Sequence, residues 1–258
     1  TDSAKAPTEG QLVDWGNPIG EMLYEATRYF AGKGSATTAF NGGTTFDTAV
    51  GLSSASWDDP YTSGSAAKSA YCARANFLTI SDINPSFDSN QVPGSYFNTF
   101  SGDLTGLSVT VQAGNITAVE SNITGLRFIG QSESLYDAAP TAKNVASLAS
   151  IRGLAPDEPA KQGSYYAASV AYFAKTTDLR STTGTQTIDS YVVALSSPLP
   201  KIEAKLPNGR VITLVPFAKT VSGSGVSATK GNYQPTNQIV DFYVETIANS
   251  GANDANTS

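Results

Sequence analysis

Histidine is absent from this 258-residue sequence, and its absence removes several functions at once. Without imidazole there is no histidine-based catalytic triad and no side chain that ordinarily titrates near neutrality as a general base. The nitrogen ligands preferred by zinc and other transition metals are missing too. Any bound metal must therefore be a hard cation on oxygen ligands, calcium or magnesium. Carboxylate pairs, or serine with lysine, stay open as catalytic groups. Cys72 is the single cysteine, so no disulfide closes within the sequence. Its thiol is either buried and reduced or paired with a segment outside this stretch. Charged residues are scarce at 15%, with 16 Lys and Arg against 22 Asp and Glu and a net charge of −6. That balance excludes a nucleic-acid binder, which needs clustered basic residues. No apolar run reaches membrane-spanning length. No signal peptide opens the chain, and the start TDSAKAPTEG reads as a processed or cut boundary.

What is present is polar but neutral. Glycine totals 23, and serine and threonine crowd the sequence, so hydroxyls, amides and glycines must cover the surface. Such a surface suits an extracellular bacterial protein. The length allows one large domain or two small ones, with a sizeable core.

Residues 1–15, ending at Trp15, lack periodicity and read as a linker. A helix follows: Asn17 can cap it, Pro18 suits its first turn, and Ile19, Met22, Leu23, Ala26, Tyr29 and Phe30 recur at helical spacing. Glu21 and Glu25 fall early, where negative charge suits the dipole, and Gly32 and Gly34 end the helix. Residues 33–70 form a long excursion rich in Gly, Ser and Thr. The run Asn76 to Asp82 looks like a parallel strand delivering Asp82 to the ligand edge of a sheet. Residues 83–102 read as an irregular loop, 104–129 as weakly alternating with a hairpin, and 141–152 as a short helix. Ser164 to Leu179 reads as a second strong helix and Thr187 to Leu195 as a strand. Ile202 to Leu206, Val211 to Pro216 and Ile239 to Glu245 read as antiparallel strands, with a hairpin turn at Pro207-Asn208-Gly209. Helix and strand in alternation specify an α/β domain.

Asp82 is the sharpest site candidate. A carboxylate that ends a buried strand costs desolvation energy unless a cation or backbone amides compensate it. Asp82, Asn84, Ser86 and Asp88 imitate an alternating calcium loop, but Phe87 stands where glycine is required and Pro93 where glutamate is. Asp58 and Asp59 are adjacent loop carboxylates, which are ordinarily solvated. Gly42-Gly43-Thr44-Thr45 lacks a lysine for phosphate. No catalytic constellation emerges.

Several long phrases together resemble one known family. They are DWGNPIGEMLYEA (14–26) with Arg28-Tyr29-Phe30, NFLTISDINPSFDSNQVPG (76–94), YYAASVAYFAKTTDLR (165–180), residues 186–195 and PTNQIVDFYV (235–244). All are similar to the pilus-tip and pilus-biogenesis proteins of the PilY/PilC family. The resemblance implies a von Willebrand factor A-like (Rossmann-like) three-layer α/β sandwich, partial or interrupted. That domain would span 16–200, with insertions at 33–70 and 84–140, followed by an antiparallel strand extension and tail at 201–258. It also implies a cell-surface location, at the pilus (fimbrium) tip or outer membrane, and partners among minor pilins, other pilus proteins or surface ligands. Asp82 falls where the family's A-like domains place a metal-site aspartate, and Asn17 falls where they place a threonine. The Asp-x-Ser-x-Ser loop of that site has no counterpart here. The implied calcium or magnesium site, at Asp82, Asn17, Ser81 and Asn84, is thus incomplete, and Trp15, Pro18 and Cys72 are assigned structural roles. The missing first strand is expected to lie upstream or to come from another chain.

The expectation is a secreted, non-enzymatic module supporting type IV pilus assembly and cell adhesion. The alternative is a structural subunit of an extracellular filament, strand-complemented by its neighbours. A hydrolase using oxygen ligands is the third reading.

Overall fold

The computed structural model describes residues 16–40, 51, 57–61, 69–82, 84–154, 159–195, 202–214, 219–220 and 234–235. The linker with Trp15, the Gly42–Thr45 run and the strand expected at 239–245 lie outside them. Helices and sheets are mixed, as an α/β reading requires.

Helix α1, Ile19–Phe30, begins one turn after Gly16. Pro18 occupies the position before it, and its carbonyl accepts from the Met22 amide at 2.9 Å. The Asn17 side chain does not cap the helix, contrary to the sequence expectation, because it is committed elsewhere. At the other end Gly32 takes φ +79°, which glycine adopts without steric cost, and the Lys33 amide reaches the Arg28 carbonyl at 3.1 Å. Strand β1, Ala75–Asp82, pairs in parallel with the strand at Ile188–Leu195, from Ala75 opposite Ile188 to Asp82 opposite Leu195. This is the parallel strand expected of Asn76 to Asp82.

Two expectations between these strands fail. Val109–Val119 is a helix, α2, where weak alternation suggested a hairpin. Its valines and isoleucine favour strands in isolation, yet Val109, Ala113 and Ile116 share one helical face and are buried. The hairpin comes one element later, as β2, Gly125–Ser132, and β3, Leu135–Val145, paired antiparallel. The helix expected over 141–152 is instead the end of β3, a 3-10 turn at Leu148–Ser150, and β4, Ile151–Arg152, which pairs with β2. The buried Lys143 fixes that outcome. Its Nζ donates to the Ile129 carbonyl (2.8 Å), Asp137 Oδ1 (2.8 Å) and Thr141 Oγ1 (2.7 Å), bonds available only within the hairpin.

Helix α3, Tyr166–Thr176, lies within the expected 164–179 segment and buries Tyr166, Ser169, Val170, Phe173 and Ala174. Strand β5 is Ile188–Leu195. Strands β6, Ile202–Lys205, and β7, Val211–Leu214, form the expected antiparallel hairpin, with Gly209 at φ +81° in its turn. β8, Lys219–Thr220, pairs with β9, Gln234–Pro235.

The main core joins Tyr24 of α1 to Val92, Leu104, Leu107, Val109 and the α3 residues Tyr166, Val170 and Phe173. The loop after β1 is therefore a packed part of the core, not a surface excursion. A second cluster, around Ala113, Ile116, Ile129, Val145, Leu148 and Ile151, ties α2 to the β2–β3 hairpin. A third sets Phe30, Ala174 and Ile188 beneath β1 and β5, with Ala75 and Phe77 against them. Among the described residues no helix is long and apolar enough to cross a membrane.

Candidate functional site

The C-terminal end of β1 and the residue pair preceding α1 meet at one place. Asn17 is held first by its backbone: its amide donates to Ser86 Oγ at 2.7 Å, and its carbonyl accepts from the Ser86 amide at 3.0 Å. So anchored, the side-chain Nδ2 donates to Ser81 Oγ (2.8 Å), Asp82 Oδ1 (3.0 Å) and, at 3.3 Å, to the Asn84 carbonyl. Asp82 Oδ1 also accepts from the Asn84 amide at 2.8 Å, closing an Asx-type turn. Carboxylate and carbonyl oxygens only accept, so the amide must present nitrogen, not oxygen, to this cluster.

All four residues that sequence reading nominated for a metal therefore converge, but around an amide NH2. The cluster supplies one carboxylate, one hydroxyl and one backbone carbonyl. A hard cation would need Asn17 to rotate its Oδ1 inward and would meet a single negative charge, a combination that gives weak affinity. The described residues contain no group of three or more Asp, Glu, Cys or His placed to hold a metal. Asp82 itself is exposed. The desolvation penalty expected of a buried strand end does not apply, because the outer face of β1 is open.

Behind this cluster lies a feature that sequence reading missed. Asp88 is wholly buried, its Oδ1 accepting from the Ser164 amide (2.7 Å) and Ser164 Oγ (3.0 Å) just ahead of α3. Oδ2 has no hydrogen-bond partner, while the Ser164 amide and hydroxyl and the Gly20 amide favour the charge of the carboxylate. Burial raises its pKa to about 6. Glu21, read from sequence only as a charge that suits the helix dipole, is also buried, with Oε1 accepting from the Gln91 amide at 3.0 Å. Burial, together with repulsion from Asp88, raises Glu21 to about 7. Glu21 shares the α1 face of Gly20 and Tyr24, one position away from the apolar stripe, and no pattern in the sequence marks that face as the buried one.

The remaining nominated residues lie apart. Pro18 flanks α1, and Cys72 is an exposed free thiol in a turn ahead of β1, so of its two expected states the buried one is excluded. Trp15 lies outside the described residues. Asp59 pairs with Arg180 and accepts from the Tyr61 amide (2.9 Å), so it is part of a structural contact.

Comparison with known proteins adds what geometry alone does not. Residues 1–174 match the family model described as the second domain of PilY1 homologues, and residues 204–258 match the PilY1-homologue β-sandwich model. The chain belongs to the PilY1-homologue family. A type IV pilus biogenesis factor PilY1 homologue of Xylella fastidiosa (strain Temecula1 / ATCC 700964) is 44% identical over 250 residues. That alignment covers 93% of this chain and 17% of the relative, so the chain spans about a sixth of the PilY1 homologue it matches. No solved structure matches.

Proposed function

We propose that this region of a PilY1-family protein is a non-enzymatic module that supports type IV pilus assembly and adhesion. Its working location is the cell surface, at the pilus tip or outer membrane, with minor pilins or other pilus proteins as partners. One observation carries the reading: 44% identity over 93% of the chain to a protein named for type IV pilus biogenesis. The site geometry fits a module without chemistry, since the polar groups of the Asn17–Asp82 cluster are spent on one another as a structural tie rather than aimed at a reacting atom.

A von Willebrand factor A-like scaffold belongs to the same proposal. It is supported by the parallel β1–β5 pair, by α3 packed against β5, and by polar loops gathered at the carboxyl end of β1. Calcium or magnesium enters it as a weak ligand of Asp82, Ser81, Asn84 and a rotated Asn17. The test of the functional reading is fractionation. Shearing pili from intact cells should carry the full-length protein into the pilus fraction, and cells unable to assemble pilus fibres should yield none there. Full-length protein that stays in the cytosol in piliated cells would overturn the reading.

A further inference from the structure

Helix α1 and strand β1 each keep apolar side chains exposed among the described residues, although Tyr24, Phe30 and Phe77 pack into the core. On β1 the side chains alternate: Ala75, Phe77, Thr79 and Ser81 are half-buried on the helix side, while Asn76, Leu78, Ile80 and Asp82 are exposed on the other. Register puts Tyr191 beside Leu78, Val193 beside Ile80 and Leu195 beside Asp82. Leu78 is 64% exposed, Ile80 68%, Tyr191 60% and Leu195 61%, in a parallel sheet that has two strands among the described residues. Parallel sheets are ordinarily covered on both faces. On α1 the residues buried in this chain include Glu21, Thr27 and Arg28, while Met22 and Ala26, from the apolar stripe, are exposed. Met22 and Ala26 join Ile19 and Leu23 in a groove of about 410 Å³, whose other wall is Phe77 to Ser81 of β1. Among the described residues β1 pairs with β5 alone, leaving its second edge unpaired.

We infer that the β1–β5 sheet is completed by polypeptide from elsewhere in the same full-length protein. A strand adds to the open edge of β1, beneath the Ile19–Met22–Ala26 stripe, and an apolar element covers Leu78, Ile80, Tyr191 and Val193. The occupant is set by three observations. The groove and the sheet face carry no charged side chain apart from Asp82 and Asp189 at their ends, so the partner is apolar on alternate residues. This chain corresponds to only 17% of its relative's length, leaving ample polypeptide in the same molecule. Tethered segments also reach a local concentration that separate chains do not. An open apolar edge of this kind would otherwise promote aggregation. The inference is independent of the pilus reading.

The test uses the full-length protein. Ile80→Cys is combined with Cys72→Ser, because Cys72 is itself an exposed thiol. Maleimide labelling at position 80 is read by peptide mass, and hydrogen exchange across 75–82 is followed in unsubstituted protein, which reports even if the variant misfolds. Labelling should be on the order of a hundredfold slower than in denaturant, and the amides of β1 should exchange with the slow core. A photo-crosslinker at Leu78 should join a peptide of the same monomeric molecule that lies outside the residues described above. Rapid labelling together with fast exchange, or crosslinks to a second copy or to another protein, would overturn the inference.

Discussion

The side-chain amide nitrogen of Asn17 lies 3.0 Å from Asp82 Oδ1, although 65 residues separate them in sequence. One neutral donor thus ties the start of α1 to the end of β1, where a cation would otherwise be the natural counterpart of the carboxylate. Asn17→Asp removes the donor and sets two carboxylates together. Stability should fall by about 1–3 kcal/mol in chelator, and roughly millimolar calcium or magnesium should recover much of it. The unsubstituted protein should show little shift with the same ions. Melting curves with and without cation check both statements, and equal responses from the two proteins would reject the assignment.

Much of this arrangement was legible in sequence. The spacing of Ile19 to Phe30, the apolar run ending at Asp82 and the Pro207-Asn208-Gly209 turn each specify an element that the structure contains. The convergence of Asn17, Ser81, Asp82 and Asn84 followed from family resemblance, not from spacing. What was not legible depended on long-range packing. α2 looks strand-like until Val109, Ala113 and Ile116 are buried together, and residues 141–152 look helical until Lys143 is locked into the β2–β3 hairpin. The buried carboxylates were hidden for the same reason: which face of α1 is covered is decided by α3 and the 84–94 loop.

Those carboxylates set the pH dependence. Glu21 and Asp88 are raised from 4.5 and 3.8 to about 7 and about 6. Between the unfolded and folded values the native state holds protons that the unfolded state has released. Their contribution is therefore fully present below about pH 4 and is lost as pH rises through 6 and 7. Denaturant midpoints should decrease from pH 5 to pH 8, and Glu21→Gln should flatten that slope. A midpoint that rises over this interval, with no change in Glu21→Gln, would contradict the burial of these groups.

Arg28 works in the opposite sense. Its buried guanidinium donates to Asp103 through Nε (2.8 Å) and Nη2 (2.9 Å) and to Glu25 at 2.9 Å, with the Trp57 ring 5.3 Å away. The hydrogen bonds from Arg28 hold Asp103 below the usual carboxylate range. That contribution is present above the ordinary Asp pKa and fades as pH falls through the lowered value. Asp103→Ala should cost about 1–3 kcal/mol at neutral pH. Arg28→Lys should also destabilise, because an ammonium cannot reproduce the two-pronged contact. Urea titration of both variants checks this.

Two glycines should respond oppositely to alanine. A Cβ on Gly163 would fall 1.7 Å from the Pro85 carbonyl oxygen, so Gly163→Ala must displace the loop that carries Ser86 and Asp88. Gly114, inside α2, has open space around the same position. Gly114→Ala should stabilise by about 0.5–1 kcal/mol, while Gly163→Ala should cost about 1–3 kcal/mol. Melting temperatures of the pair decide it.

The central claim, that this module serves pilus assembly and does so without chemistry, is tested most directly by counting surface pili. Cells would carry the full-length protein either intact, lacking residues 16–195, or with Asp82→Ala and Ser81→Ala together, which remove the two side-chain partners of Asn17. Deletion should abolish pili, and the double substitution should leave them near normal, with the protein present at equal levels. Undiminished pili after the deletion would contradict the assembly role. Loss of pili in a folded double variant would contradict the view that the Asn17–Asp82 cluster is a structural tie.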